Sequence, residues 1–269
     1  MKSFNLLILL SIVAVSYLPS WAALPAQSYT DFNRYAAGVE SRLASQHASP
    51  HSFISYDGDV TASIARLRQG EILITNLHPA QPAGAMLHHW RATAFAPGAR
   101  AADFLAFMQD YLRWTEAYSP QVIATHLIGH QGDDYRISMR VREHHVITVV
   151  LDTDYQIHFG RLNERYGYST AHSTRIAEIA HAGERGERAL SDSEEEGYLA
   201  RSNTYWSYIE TPEGLYMQCE SLTLTRDAPR GLGWAVKPFI ESIPQQTLRF
   251  TMDATRKAMQ TRRIHEHQR

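Results

Sequence analysis

Residues 199–226 read LARSNTYWSYIETPEGLYMQCESLTLTR, and this stretch decides the fold. Two runs within it, residues 199–208 and 215–225, are rich in aromatic and β-branched side chains, a composition typical of strands. Between them, Pro212 suits the first central position of a tight turn, and Gly214 suits the left-handed position that follows. The stretch therefore predicts an antiparallel β-hairpin.

A long helix is predicted to close the chain over residues 244–263. Pro244 suits the first helical position, where its missing N–H costs nothing. An apolar stripe follows at helical spacing, formed by Leu248, Met252 and Met259. Antiparallel strands that feed one long C-terminal helix predict a sheet wrapped around that helix, an arrangement that usually encloses a cavity. A plain core-facing helix is equally consistent with the stripe.

Upstream of the hairpin, the hydrophobic pattern changes from a helical period to a period of two. Helices are predicted over residues 29–46 and 101–114. Strands are predicted over residues 71–77, 88–96, 122–127, 135–141, 145–151, 155–162 and 169–180. The chain is therefore expected to be an α+β protein, with one curved antiparallel sheet of about six to eight strands wrapped around the C-terminal helix.

The N-terminus has the pattern of a secretory signal. Lys2 is the only charged residue before an almost wholly apolar run over residues 6–15, and residues 20–22 are Ser-Trp-Ala. This order predicts a signal peptide over residues 1–22, cleaved after Ala22. The run is short for a membrane span, which needs about 20 apolar residues, although an uncleaved anchor stays an alternative. An exported bacterial protein, periplasmic or secreted, is expected.

The composition is that of a globular protein without nucleic-acid partners. Of the 269 residues, 20% are charged and the formal net charge is −2, whereas a nucleic-acid surface needs a marked basic excess. Cys219 is the only cysteine, so no intramolecular disulfide can form. The spacings typical of metal ligands, phosphate-binding loops and serine nucleophiles do not occur. The sequence therefore predicts no metal, no cofactor and no catalytic residue.

Several short motifs carry a resemblance to a known superfamily. They are residues 88–91 (HHWR), 95–98 (FAPG), 109–111 (QDY), 149–153 (VVLDT), 173–178 (STRIAE), 203–206 (NTYW) and 225–229 (TRDAP). With the order of strands and helices, they are similar to secreted bacterial proteins of the START-like, or SRPBCC, helix-grip superfamily. The resemblance covers residues 85–263. It leaves an N-terminal helical extension over residues 23–84 and a C-terminal tail over residues 264–269.

The resemblance implies a cavity between the sheet and the C-terminal helix that holds a hydrophobic or amphipathic small molecule. We therefore expect a binding protein for a lipid or a similar ligand. Transient membrane contact is compatible with that role, and the oligomeric state is left open. The alternative is an enzyme of the cyclase or hydrolase kind in the same cavity, with His172, Glu178 or Tyr155 as acid–base groups.

Polar candidates for the binding site come from the alternation of side chains along the strands. His172 and Glu178 share one strand face, which either points inward to orient a polar head group or is a solvated outer face. Glu220 is expected to pair across the sheet with Arg201 or Arg175. Such a pair would be a structural ion pair or an anchor for a carboxylate or phosphate.

Apolar candidates supply the walls of the expected cavity. Trp90, Tyr155 and Trp206 come from three strands, and Met252 comes from the C-terminal helix. Alternation places Trp206 and Tyr208 together on one face of their strand. Whether that face meets the C-terminal helix or lies beneath the N-terminal extension stays open.

Overall fold

The computed structural model of the protein describes residues 24–144, 148–227 and 233–266. The predicted signal peptide and its cleavage site lie outside these residues. The helices are α1 (Ala26–His47), α2 (Val60–Arg68), α3 (Ala101–Gln109), α4 (Trp114–Ala117) and α5 (Gly233–Glu266), with a 3-10 turn at Tyr111–Arg113. The strands are β1 (Leu73–Asn76), β2 (Ala85–Pro97), β3 (Val122–Gln131), β4 (Asp134–His144), β5 (Thr148–Asn163), β6 (Tyr166–Ala180), β7 (Arg188–Ala189), β8 (Arg201–Thr211) and β9 (Gly214–Arg226).

The described strands form one antiparallel sheet. Its strand order is β1-β2-β9-β8-β6-β5-β4-β3, and the two-residue strand β7 pairs with β6 beside this path. The long helix α5 follows the last strand and packs mainly on β2. This arrangement confirms the predicted α+β class and the helix-grip order of elements. The segment before residue 85 takes part in the sheet, because β1 pairs with β2 in the register Leu73 to Thr93.

The hairpin that joins β8 to β9 forms at the predicted place. Thr211 pairs with Gly214 across the turn, and Trp206 pairs with Cys219 farther along the strands. Gly214 has a φ of 151°, and a Cβ atom there would lie 2.4 Å from the carbonyl oxygen of Ala96. Only glycine therefore allows β2 to pass so close to this turn.

The C-terminal helix begins earlier than the sequence predicts. It starts at Gly233, so Pro244 lies inside the helix rather than at its first position. A proline is favourable at a helix start, but inside a helix it removes one backbone hydrogen bond. Burial of Leu248, Met252 and Met259 in the core favours the helix despite that loss.

The sheet separates two layers, which we call the inner and the outer face. The inner face carries α5 and α3, and its core includes Phe104, Trp206 and Met217. The outer face carries α1, which buries a stripe at helical spacing (Phe32, Ala36, Val39 and Leu43) against β2, β8 and β9. The predicted helix over residues 29–46 is thus confirmed, and it covers the sheet opposite the C-terminal helix.

The sequence expected one helix over residues 101–114, and the structure divides this segment into three short pieces. The helix α3 ends at Gln109, a 3-10 turn follows, and α4 begins at Trp114. Tyr111 and Trp114 are both buried and pack ring edge to ring face. Bringing both rings into the core favours the break in the helix. Within the described residues, no helix has the length and apolar character needed to span a membrane.

Candidate functional site

The four predicted apolar residues all belong to the inner face. Trp206 and Met252 are buried in the main core, with 4% and 0% of their surface exposed. Trp206 packs against the ring of Phe104, which settles the open question of its orientation: it faces the α5 layer. Trp90 and Tyr155 pack against the same core but are only half-buried.

A strip of half-buried apolar side chains lies along this inner face. Its members pack against the main core without being enclosed by it, and they are Trp90, Met139, Val141, Tyr155, Ala171 and Phe250. These side chains keep part of their surface uncovered by the rest of the protein. We call this set of residues the inner strip.

Two polar side chains, Tyr155 and Glu143, lie on the inner side of the sheet. Tyr155 was predicted from the sequence, and Glu143 was not. Burial raises the pKa of Tyr155, and hydrogen bonds with Ser202 and Thr153 offset part of that effect. Burial also raises the pKa of Glu143 to about 7, although Thr247 of α5 donates a hydrogen bond of 3.5 Å to its carboxylate. Glu143 stands in a turn-like sequence of charged residues, which gives no local signal that α5 will cover it.

Glu220 is the centre of a buried polar cluster on the outer face. Its side chain is 1% exposed, and its Oε2 accepts hydrogen bonds from His89 Nε2 at 2.9 Å and from Arg42 Nη2 at 2.5 Å. Burial alone raises the pKa of Glu220, but the hydrogen bond from His89 and the charge of Arg42 together hold it below its ordinary value. The pairing with Arg201 or Arg175 that the sequence suggested is therefore wrong, because α1 and β2 supply the partners.

His89 connects this carboxylate to a tyrosine of α1. Its Nδ1 lies 3.0 Å from the hydroxyl of Tyr35. In the tautomer that donates from Nε2 to Glu220, Nδ1 is the acceptor for the Tyr35 hydroxyl. The result is a chain of hydrogen bonds from Tyr35 through His89 to Glu220, closed on one side by Arg42.

The remaining polar candidates do not converge on one site. His172 lies on the outer face, where its Nε2 bonds to Glu40 of α1 at 2.9 Å. Glu178 is buried, and its carboxylate accepts the backbone N–H groups of Glu196 and Tyr198, so it fixes the loop before β8.

The two arginines among the candidates also lie apart. Arg201 stacks on the ring of Tyr29 in α1, with its guanidinium carbon 4.6 Å from the ring centre. Arg175 is half-exposed and lies 3.9 Å from Asp154. Neither of them contacts Glu220, so the polar candidates form separate structural contacts and no common head-group site.

An open groove of about 850 Å³ lies beside the Glu220 cluster, between α1, β2 and the connection formed by residues 77–82. Tyr35, Gly38 and Arg42 line it from α1, and His89 and Arg91 line it from β2. Sites for small molecules commonly have volumes of about 300–1,000 Å³. We call this feature the outer groove. A local sequence signal could not reveal it, because α1 and β2 are far apart in the chain.

No metal site is evident within the described ranges, where no three His, Cys, Asp or Glu side chains come together. No family model matches the sequence, and no curated protein is significantly similar to it.

Solved structures with a START-like fold are similar in architecture. Human STARD10 has 12% sequence identity and a TM-score of 0.46, over 79% of this chain and 84% of that chain. A STAR-related lipid transfer protein from Xanthomonas axonopodis has 12% identity and a TM-score of 0.44, over 70% of this chain and 98% of that chain. The Zhui aromatase/cyclase from a Streptomyces species has 10% identity and a TM-score of 0.47, over 65% of this chain and 95% of that chain. These matches are likenesses of architecture at low identity, and the α+β arrangement of this chain rests on its own strand order and closing helix.

Proposed function

We propose that the protein binds a lipid or another hydrophobic small molecule between the inner face of the sheet and α5, and that it does so after export from the cytoplasm. The observation that carries the proposal is the inner strip, in which large apolar side chains pack on the core and are still only half-buried. An apolar ligand that covers these side chains gains the free energy of burying them, about 25 cal/mol per Å².

The chemistry of the surrounding residues supports a ligand with a small polar end. Tyr155 lies within the strip, and a carboxyl group, Glu143, is held near its border by Thr247. A pKa of about 7 leaves Glu143 partly protonated at neutral pH, so it can donate as well as accept a hydrogen bond. One or two polar groups beside an apolar wall are typical of carriers of amphipathic molecules.

An enzyme built from His172, Glu178 and Tyr155 is not supported by the geometry. Tyr155 belongs to the inner face, His172 bonds to α1 on the outer face, and Glu178 is occupied by backbone N–H groups. General acid–base groups must reach the same reacting atom, within about 3 Å or through one water. The proposed role is therefore that of a binding protein.

Export is proposed from the charge, apolar run and small residues of the first 22 positions. N-terminal sequencing of the exported protein should find a mature chain that begins at Ala23. A mature chain that begins at Met1 would contradict this proposal and favour a membrane anchor.

Ligand binding at the inner strip is tested with a larger side chain that occupies the space of the ligand. Ala171 is half-buried within the strip, so Ala171→Phe should occupy the space of an apolar ligand. We expect the parent to bind a long-chain fluorescent fatty acid and Ala171→Phe to bind it about tenfold or more weakly, which corresponds to about 1.4 kcal/mol. Fluorescence titration measures binding, and thermal unfolding shows whether the variant stays folded.

The matched control is Ala37→Phe, which adds the same ring at an exposed position of α1. It should bind the probe like the parent. If the strip is instead part of a solid core, Ala171→Phe should lower stability by about 1–3 kcal/mol through overpacking, and the parent should not bind the probe. That result would overturn the proposed carrier role.

A further inference from the structure

The outer groove is kept open by a glycine in the middle of α1. Gly38 lines the groove, and a Cβ atom built on it would meet no atom within 4 Å. Glycine inside a helix is unfavourable because it loses more backbone freedom on folding than any other residue. Because Gly38 belongs to the lining, a long side chain at this position would occupy part of the groove, whereas glycine leaves that space open.

The groove is lined by charged groups of both signs. They are the arginines Arg34, Arg42 and Arg91 and the carboxylates Asp31 and Asp57. Within the described chain, Arg34 donates a hydrogen bond from one nitrogen to Asp31, Arg42 from two nitrogens to Gln46 and Glu220, and Arg91 from one to Asp57. Arg91 also lies 3.9 Å from Glu220 and is 10% exposed, whereas Arg42 is 41% exposed. Each guanidinium has five N–H groups, so donors remain on these arginines after the contacts within the protein, and Arg42 is the more accessible of the two beside Glu220.

The hydrogen-bond chain behind the groove fixes how these donors are presented. Glu220 holds Arg42 and His89, and His89 holds the hydroxyl of Tyr35. Because the Tyr35 hydroxyl is already bonded to His89 Nδ1, the guanidinium groups of Arg42 and Arg91 are the donors that meet a ligand. Guanidinium forks match carboxylate and phosphate groups in shape and charge.

Apolar side chains also line the groove. They are Val39 of α1, Leu87 of β2 and Leu77, Ala80 and Pro82 of the connecting segment. The groove therefore presents arginine donors and apolar side chains together. A ligand that satisfies both has an acidic head and an apolar body.

We propose that the outer groove is a second ligand site, on the opposite face of the sheet from the inner strip, and that it binds an amphipathic acid. The carboxylate or phosphate head accepts hydrogen bonds from Arg42 and Arg91, and the apolar body lies along Val39, Leu77 and Leu87. Tyr35, His89 and Glu220 are positioning residues, which hold Arg42 at the groove. This site goes beyond the proposed carrier role and does not depend on it.

The experiment compares three probes of equal chain length on the full-length mature protein: decanoate, decyl phosphate and decanol. Isothermal titration calorimetry measures affinity, below the micelle concentrations of the two acids and below the solubility limit of decanol. We expect one or both acids to bind at least about tenfold more tightly than the alcohol. The difference between decanoate and decyl phosphate shows which head group the site prefers.

The variant Gly38→Leu then shows where the acid binds. It should fill the groove and weaken binding of the preferred acid by about tenfold or more, with an unfolding midpoint equal to or above that of the parent, because a helix-interior glycine is removed. Ala37→Leu, at the neighbouring exposed position, is the matched control and should bind like the parent.

Three results would overturn the proposal: no acid binding by the parent, equal affinity for acid and alcohol, or unchanged binding in Gly38→Leu. Binding that is lost in Ala171→Phe and kept in Gly38→Leu would place the acid at the inner strip instead. The reverse pattern would support the outer groove even if the carrier role of the inner strip fails.

Discussion

The two faces of one sheet are built by different physical means. The inner face is held by aromatic and aliphatic packing between the strands, α3 and α5, as the contacts of Trp206 with Phe104 illustrate. The outer face holds α1 through an apolar stripe at one edge and through buried polar pairs beside it, above all Glu220 with Arg42 and His89.

The two kinds of packing predict different responses to substitution. Apolar packing has no direction, so the inner face should tolerate substitutions that conserve volume. Buried polar pairs need particular partners at particular positions, and removing one partner leaves the other without compensation. The outer layer is therefore expected to be the more sensitive to small chemical changes, and its pairs specify where α1 lies on the sheet.

The largest expected effect is that of Glu220→Ala. The substitution leaves the buried His89 without its acceptor and removes the carboxylate that Arg42 binds. Breaking a fully buried ion pair from one side costs about 3–5 kcal/mol. Because Arg42 is 41% exposed and regains water, we expect a loss in the free energy of unfolding near the lower end, about 3 kcal/mol. Urea denaturation followed by tryptophan fluorescence measures it.

The control for this prediction is an exposed ion pair. Glu194 bonds to Arg188 in the loop between β6 and β8, at distances of 2.6 and 2.9 Å. Glu194→Ala should leave the free energy of unfolding unchanged within error, because exposed pairs contribute little. If Glu220→Ala behaves like this control, the polar cluster does not hold the outer layer.

The sequence predicts the helices and strands of both faces better than it predicts which side chains bond to one another. The alternation along β8 correctly places Trp206 and Tyr208 on one face, and the helical period correctly predicts α1 within residues 29–46. Both patterns are local, with periods of two and 3.6 residues, so they can be read without knowing the rest of the fold.

The Glu220 cluster is not local, and this explains why its partners were missed. Arg42 and His89 are separated from Glu220 by 178 and 131 positions along the chain. Which residues meet depends on the pairing of β2 with β9 and on where α1 crosses them, and neither follows from a single strand. The same reason applies to the outer groove, and to Glu178, whose partners lie on a loop.

The next prediction concerns the pH dependence of stability, which each face influences through one buried histidine. His47 lies on the outer side, bonded to Ser207, and His88 lies on the other side of the sheet, bonded to Thr225. Burial lowers the pKa of each to about 4. Since the unfolded chain binds a proton near pH 6.5 and the folded chain does not, stability is lost as the pH falls from about 6.5 towards 4.

At pH 5, each histidine should have reduced the free energy of unfolding by about 2 kcal/mol relative to pH 7. Glu143 changes stability in the opposite direction over part of this range, because its pKa is raised to about 7. The test therefore compares variants. His47→Gln and His88→Gln should each show a smaller loss between pH 7 and pH 5 than the parent in urea denaturation.

The control for the pH effect is Gln131→Asn, which changes an exposed side chain and removes no titratable group, so it should keep the pH dependence of the parent. An unchanged pH dependence in His47→Gln and a reduced one in His88→Gln would show that only the inner layer resists protonation. That outcome would contradict the expectation that burial lowers the pKa of both histidines.

The smallest effect is also the sharpest comparison, because it removes the same hydroxyl from two tyrosines of one strand. Tyr205 faces α1, where its oxygen accepts a hydrogen bond from Asn203 and donates one to Glu40, each 3.0 Å or shorter. Tyr208 faces the inner core and packs on Phe104, and its hydroxyl makes no hydrogen bond within the described residues.

Tyr205→Phe should lower the free energy of unfolding by about 1 kcal/mol, since a typical net hydrogen bond contributes that much. Tyr208→Phe should leave it unchanged or slightly higher, because no bonded partner is lost. Thermal unfolding of both variants at pH 7 measures the difference, and equal losses would mean that the outer face does not rely on its hydroxyl pairs any more than the inner face does.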